Sequence, residues 1–269
     1  MSVTSLSVPR LPHTGRVTLP RLILSEWTKL RSVRSTMWSL LVAVVFIVGL
    51  SILVPEVRMH HLRPGEHIDN PLELTLAGVQ VAQLAIGVLG VLVITGEYAT
   101  GMIRASMAAA PRRLPVLWAK LIVYGTTVLA LTVPAAFIAF FIGHTILQPH
   151  HQAVAFGAHG VVRALVGAGL YLTVVGLFGL SLGAIVRNTA GGIAAFAAIM
   201  FVLPPLMNVL PVSWNNAISP YLPSNAGRAI LNLHHDSGSL APWPGLALFA
   251  GYAALALVIG AVVLTRRDA

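Results

Sequence analysis

The chain has 269 residues, of which 57% are hydrophobic and only 9% are charged, and its mean hydropathy is +0.84. Soluble domains carry about 25% charged residues, so this composition excludes an ordinary water-soluble enzyme and indicates a protein of the lipid bilayer. The formal net charge of +9 does not indicate a nucleic-acid partner, because the basic residues flank apolar segments as lipid-headgroup anchors do.

The amino-terminal part precedes the first apolar segment. Residues 1–20 are rich in Pro, Ser and Thr and lack the features of a cleaved secretory signal, so we predict a disordered cytoplasmic tail. Residues 21–35 include "RLILSEWTKLRSVR", which places Leu22, Ile23, Trp27, Leu30 and Val33 on one helical arc. This pattern predicts an amphipathic helix in the headgroup plane, with Trp27, Lys29 and Arg31 as headgroup anchors. A plain extension of the first membrane span is the alternative.

Six apolar segments follow. A bilayer core about 30 Å thick requires about 20 apolar residues per helical span, and six stretches of the chain meet this requirement. We therefore predict an all-α integral membrane protein with a six-span domain over residues 36–267. The predicted spans are 37–54, 74–95, 121–142, 164–186, 190–209 and 245–264.

The second span carries a face of polar and small residues, Gln80, Gln83, Gly87 and Gly90, at helical spacing. A polar side chain in a bilayer needs a partner or water. This face is predicted either to pack against another helix or to line a path at a dimer interface. In the fourth span, a second row of small residues permits close helix approach: Gly176, Gly179 and Gly183.

The second span ends in "ITGEYATGMIRASMAAAPRR", which places Glu97 just past the last apolar turn. We interpret it as the only acid at or near the interior of a span. Either this carboxylate marks the headgroup boundary, or it pairs with a basic residue of the 21–35 helix or of a partner protein. Arg112 and Arg113 are predicted to anchor the return of the chain into the third span.

Prolines interrupt the third and fifth spans. Pro134 and the pair Pro204–Pro205 each remove backbone hydrogen bonds, so we expect a kink or an early helix end there, and a fifth span that stops short. The following segment, "NVLPVSWNNAISPYLPSNAGRAI", is too broken to cross the membrane. Its Trp and Tyr residues predict short helices in the outer interface.

The charges predict an orientation. Most of the 17 Lys and Arg residues fall on the side of the chain that holds both termini, whereas most acidic residues fall in the opposite loops. Since cytoplasmic loops carry an excess of basic residues, we predict a multi-pass protein of the cell membrane with both termini in the cytoplasm.

The chain lacks several motifs of binding and catalysis. Every histidine except His13 falls on the outer side, but neighbours such as His150 and His151 do not share a helical face. We therefore predict no metal site, and histidines that titrate with external pH. Neither Lys29 nor Lys120 lies in a phosphate-binding loop. If ATP drives this protein, another chain must bind it.

Three stretches occur in an order that resembles the ABC-2 family of ATP-binding-cassette exporter permeases, especially small actinobacterial members. They are "SEWTKLRSVRSTMW", "ITGEYATGMIRASMAAAPRRLPVLWAK" and "ISPYLPSNAGRAI". The likeness covers residues 21–267, and its most specific element is the exit of the second span. It implies an ABC-2 (type V exporter-like) architecture with an elbow helix before the first span, a coupling helix between spans two and three, and short outer helices between spans five and six.

The resemblance also implies partners. A permease of this family dimerises with a second permease chain, identical or different, and pairs with separate ABC ATPase subunits that hold ATP and Mg. The permease itself is then no enzyme and binds no cofactor. By this likeness, the cytoplasmic turn contacts the ATPase through Glu97, Tyr98, Thr100, Met102, Ile103 and Arg104.

The function predicted from this resemblance is export of a hydrophobic or amphipathic substrate, with a drug or antibiotic as the first candidate. A self-sufficient secondary transporter or channel is the alternative, although a single boundary carboxylate and no detectable inverted repeat make it weaker. A further alternative is a membrane anchor or sensor without transport, which holds an ATPase or responds to external pH.

Overall fold

The computed structural model describes residues 18–63, 66–99, 101, 113–233 and 238–266. Within these ranges every regular element is helical, and six of the described helices are long and apolar enough to cross a membrane. Each coincides with a predicted span, so the predicted all-α fold with six candidate spans is confirmed. All but the last three residues of the predicted tail, 1–17, lie outside the described residues.

The first two helices are separate. Helix α1 comprises Leu19–Ser32 and α2 comprises Arg34–His60. Val33 between them has an extended backbone, with φ −84° and ψ 108°. A plain extension of the first span is therefore wrong for this chain, because one extended residue interrupts the helix.

Helix α1 buries only part of the apolar arc that the sequence predicts, and a carboxylate lies on the same inward side. Glu26 and Leu30 are its buried residues, whereas Trp27 is 40% exposed and Leu24 is 65% exposed. The inward position of this carboxylate has an electrostatic cause, because Lys29 Nζ lies 2.7 Å and Lys120 Nζ 2.6 Å from its oxygens.

The centre of the bundle is formed by long helices. A short helix, α3 (Pro71–Thr75), leads into α4 (Ala77–Ala99). Helix α5 runs over Arg113–Leu147 and continues through Pro134 without ending. Helix α6, Val161–Val186, is the most buried of the candidate spans and packs against α4 and α5.

Glycines bring α4 and α6 into backbone contact. A Cβ atom added at Gly90 would collide with the carbonyl oxygen of Gly176, and one added at Gly179 would collide with the carbonyl oxygen of Gly87. Small residues allow such close approach between membrane helices, where van der Waals packing is a main source of association. We call this contact the glycine seam.

The fifth span, α7, is a continuous helix over Thr189–Val209. It widens into a π-helix at Ala198–Val202, where the N–H of Leu203 donates to the carbonyl of Ala198. Pro204 and Pro205 cannot donate backbone hydrogen bonds, and a π-helical turn is one way to accommodate the disrupted ladder. The chain thus remains helical through both prolines to Val209, which agrees with the predicted span of residues 190–209.

The proline-rich segment after α7 forms short helices, as predicted, namely α8 (Val212–Ile218) and α9 (Pro223–Arg228). The last span is α10, Pro242–Arg266. Side chains tie the segment to the bundle. Arg163 on α6 donates to the carbonyl of Asn232, and the Tyr252 hydroxyl on α10 donates to the carbonyl of Tyr221 at 3.0 Å.

Polar contacts order the loop between α2 and α3. Arg58 Nη2 lies 2.7 Å from Glu66 Oε1, and the Ile68 N–H donates to Gln152 Oε1 at 2.9 Å. Within the described ranges, no three His, Cys, Asp or Glu residues come together in a metal-binding group.

Candidate functional site

Four charged side chains from three helices meet at the end of the bundle where α1 lies. Glu26 and Lys29 belong to α1, Glu97 to the last turn of α4, and Lys120 to α5. We call these four residues the charge cluster. It contains both lysines of the chain, so every ammonium side chain that the protein has is used here.

Each lysine of the charge cluster contacts both carboxylates. Lys29 Nζ lies 2.7 Å from Glu26 Oε1 and 3.1 Å from Glu97 Oε1. Lys120 Nζ lies 2.6 Å from Glu26 Oε2 and 2.9 Å from Glu97 Oε1. Positive and negative groups therefore alternate around a closed ring whose formal charge is zero.

The cluster is largely removed from solvent. Lys120 is 5% exposed, and Glu26 and Glu97 are each 6% exposed, while the Lys29 side chain is 31% exposed. An unpaired charge at such depth costs several kcal/mol, and removal of one partner leaves the others uncompensated. The four residues therefore stabilise the fold only as a set.

The two α1 members of the cluster show its electrostatic balance. Burial alone would raise the pKa of Glu26, but the ammonium groups of Lys120 and Lys29 outweigh this effect and hold the pKa below its ordinary value of 4.5. Burial likewise opposes the charged form of Lys29, but Glu26 and Glu97 raise its pKa above 10.5. Both side chains are thus charged at neutral pH.

Sequence reasoning identified Glu97 and missed Glu26 and Lys120 as its companions. A signal for Lys120 was available, because it recurs at helical spacing with Leu117 and Tyr124, which are buried apolar residues on the same side of α5. For Glu26 the signal is weaker, since only its spacing from Leu30 places it on the inward side. The expected pairing of Glu97 with a basic residue of the 21–35 helix is present, through Lys29.

A cavity of about 300 Å³ adjoins the charge cluster and lies between α1, α2, α4 and α5. Glu97 lines it, and among the described residues no hydrogen-bond partner reaches Glu97 Oε2. At this end of the bundle the charge cluster, which has no net charge, therefore lies beside a largely apolar cavity.

The remaining residues predicted to contact an ATPase divide into two groups. The Tyr98 ring lies under the guanidinium of Arg187, with Cζ 5.4 Å from the ring centroid. Thr100, Met102, Ile103 and Arg104 lie outside the described residues. Glu97 is buried inside the chain, so its own contacts are within the chain.

The predicted headgroup anchors also differ in their positions. Trp27 and Arg31 are exposed on α1, whereas Lys29 turns into the charge cluster. Arg112 lies outside the described residues, and Arg113 is the first residue of α5, with a side chain that is not described.

The polar and small face of α4 packs inside the chain. The Tyr171 hydroxyl on α6 donates to Gln83 Oε1, and Gln80 is half-buried. Gly87 faces the ring of Phe196 on α7, and Gly90 faces Gly176. Within one chain, this face therefore makes helix–helix contacts.

No protein-family model matches the chain, and no curated protein matches it either. The described residues form a helical bundle with six candidate membrane spans, and a buried charge cluster lies at its α1 end.

Proposed function

We propose that this chain is the membrane subunit of an ATP-driven exporter whose ATPase is a separate protein. The observation that supports the proposal best is the charge cluster, because it joins α1, α4 and α5 on either side of the sequence stretch 97–113. That stretch has the strongest resemblance to the turn on which the ATPase of an ABC-2 exporter acts.

The cluster supports a mechanical role for this turn. A force on residues 97–113 acts on the last turn of α4 and the first turns of α5, and the cluster links both to α1. Movement of the turn then displaces three helices together, as a conformational change driven from one contact requires. In this proposal Glu97 is an internal tie, and the residues from Tyr98 to Arg104 form the contact surface.

The resemblance to ABC-2 permeases also supplies the orientation and the partners of this subunit. The chain lies in the plasma membrane with its α1 end in the cytoplasm. A second permease chain completes the transporter. ATP and Mg belong to the partner ATPase. The few charges among the spans favour a hydrophobic or amphipathic substrate.

Co-purification with an ATPase tests this proposal. The chain, tagged, is expressed with a candidate ATPase subunit from the same source, and ATPase recovery and turnover are measured for the native protein and for Glu97→Ala with Arg104→Ala. The matched control is Arg58→Ala with Glu66→Ala, which removes an ion pair at the opposite end of α2. We expect recovery or permease-stimulated turnover to fall only in the first variant.

Two results would contradict the proposal. If no ATPase associates with the native protein, the chain is no subunit of an ATP-driven exporter, and transport in liposomes without ATPase becomes the next measurement. If both double variants lower turnover equally while remaining folded, the coupling contact does not lie at residues 97–104.

A further inference from the structure

A second cavity lies at the end of the bundle where α6 and α10 begin. Its volume is about 480 Å³, within the range of ligand pockets, about 300–1,000 Å³. The proline-rich segment after α7 and the residues that lead into α10 line it. Most of these residues are polar, and they include Asn215, Asn216, Asn225, Arg228 and Asn232. This cavity therefore suits a hydrophilic ligand.

Arg228 gives this cavity a positive charge. It is the last residue of α9 and the one charged residue among the described residues that line the cavity. In the described part of the chain its guanidinium has no hydrogen bond and no ion pair. Nε of Arg163 is sealed from solvent, but no nitrogen of Arg228 is, so its donors are accessible. The charge of the cavity therefore favours an anionic ligand.

Two asparagines of the lining have side chains that are not used elsewhere. Asn215 Nδ2 donates to Asn208 Oδ1 at 3.3 Å, whereas the side chains of Asn216 and Asn232 make no hydrogen bond within the described ranges. The backbone carbonyl of Asn232 accepts from Arg163, which fixes the position of this residue. A primary amide both donates and accepts hydrogen bonds, as a hydroxyl group does. These amides therefore suit a ligand that carries hydroxyl groups.

The neighbouring apolar residues indicate the depth of the cavity in the membrane. Val209 is 81% exposed, Val212 is 74% exposed and Trp214 is 61% exposed, although they directly precede two residues of the lining. Short helices with exposed apolar and Trp side chains are typical of the membrane interface. At this depth the cavity adjoins the lipid headgroups, and basic pockets in membrane proteins bind phosphate headgroups.

We propose that this cavity binds a glycerophosphate group. The guanidinium of Arg228 donates to the phosphate oxygens, for which it has a matching geometry. The amides of Asn216 and Asn232 bind the glycerol hydroxyls. The headgroup of phosphatidylglycerol and free glycerol 3-phosphate both supply this chemistry. The site lies apart from residues 97–104, and it does not depend on the exporter proposal.

Native mass spectrometry of the purified chain tests the proposal. The chain, in a neutral detergent, is incubated with equal amounts of phosphatidylglycerol and phosphatidylcholine, and the lipids that remain bound are counted. Both lipids have a phosphate, but the choline of the second offers no hydroxyl group and cancels the negative charge. We expect about tenfold more phosphatidylglycerol than phosphatidylcholine to be retained, as one charge-assisted hydrogen bond provides.

Matched variants connect this retention to the cavity. Arg228→Gln should lower the retained phosphatidylglycerol about tenfold. Arg63→Gln removes the same charge from an exposed residue of the loop between α2 and α3, and it should leave retention unchanged. Asn216→Leu, at an exposed position, should lower retention of phosphatidylglycerol and not of phosphatidic acid, which has no headgroup glycerol.

A competitor resolves the source of the ligand. Glycerol 3-phosphate that displaces the bound lipid would show that the cavity accepts the free ester, whereas retention of the lipid would show that the occupant is a bilayer lipid. Equal retention of phosphatidylglycerol and phosphatidylcholine would overturn the proposal, and so would equal retention by Arg228→Gln and Arg63→Gln. No ATPase is present in these measurements, so their failure is distinct from failure of the exporter proposal.

Discussion

Lys120 and Glu26 are 94 residues apart in the sequence, yet Lys120 Nζ lies 2.6 Å from Glu26 Oε2. This ion pair fastens α1, which precedes the first span, to α5 deep in the chain. Since both side chains are buried, the pair is not a surface contact that salt would screen.

Removal of Lys120 should destabilise the fold more than removal of Lys29. Lys120→Met leaves two buried carboxylates with one ammonium, and we expect a loss of about 3 kcal/mol. Lys29→Met is the matched control, because the same residue type is removed from the same cluster at a side chain that is 31% exposed. Unfolding of the two variants in detergent micelles measures the difference, and an equal or larger loss for Lys29→Met would contradict it.

The charge cluster should make the fold sensitive to acid. The pKa of Glu26 is below 4.5 in the folded chain, so its stabilising effect is present above 4.5 and is lost as the pH falls through the lower folded value. Melting temperatures on both sides of pH 4.5 should show a smaller acid-dependent decrease for Glu26→Gln than for the native chain. If the melting temperatures of the native chain and of Glu26→Gln decrease equally with falling pH, Glu26 is not the source of the acid sensitivity.

The dependence of stability on pH has the opposite sign for Lys29. Its pKa is raised above 10.5 in the folded chain, so its contribution is present below 10.5 and is lost as the pH rises through the folded value. In the alkaline range we expect the native chain to lose stability more steeply than Lys29→Met. The check is melting in alkaline buffers, and a steeper loss for the variant would be the contrary result.

The glycine seam should not tolerate a methyl group. Gly90→Ala and Gly179→Ala each direct a Cβ at a backbone carbonyl of the neighbouring helix, so we expect each to cost about 1–3 kcal/mol through overpacking. The control is Gly251→Ala on α10, where a Cβ would meet nothing within 4 Å. Denaturation measures the free energy of unfolding of the three variants. If Gly251→Ala is destabilised as much as the other two, the loss is a general effect of alanine and not of the glycine seam.

The hydrogen bond between Tyr171 and Gln83 should contribute measurably. Tyr171→Phe leaves Gln83 Oε1 buried without its donor, and we expect a loss of about 1 kcal/mol, as is usual for polar contacts between membrane helices. Tyr252→Phe also removes a hydroxyl donor, but its bond to the Tyr221 carbonyl is exposed, so it serves as the control. The idea fails if both variants unfold like the native chain.

The spans could be predicted from the sequence because the bilayer imposes a length and a polarity on each of them. The amphipathic pattern of residues 21–35 also indicated a separate helix before α2, and the prolines after residue 209 indicated the short helices after α7. The π-helix in α7 was not foreseen, since Pro204 and Pro205 are compatible with either a helix end or a widened turn. The neighbouring residues do not decide between these outcomes.

The candidate site could be predicted only in part. The position of Glu97 just past the last apolar turn suggested a basic partner on the 21–35 helix or on another protein, and Lys29 of that helix contacts it. Glu26 and Lys120 were missed because their pairing depends on how α1 lies against α5, and no local spacing encodes a contact between residues 94 positions apart. Long-range ion pairs of this kind become visible only when the helices are placed in space.

The glycine seam has a consequence for the route of any solute. Where the backbones of α4 and α6 touch, at Gly87 with Gly179 and at Gly90 with Gly176, no gap remains for water or an ion. The contact closes the space between these two helices at this level. A molecule carried across the bilayer by this protein would therefore not pass between α4 and α6 at the glycine seam.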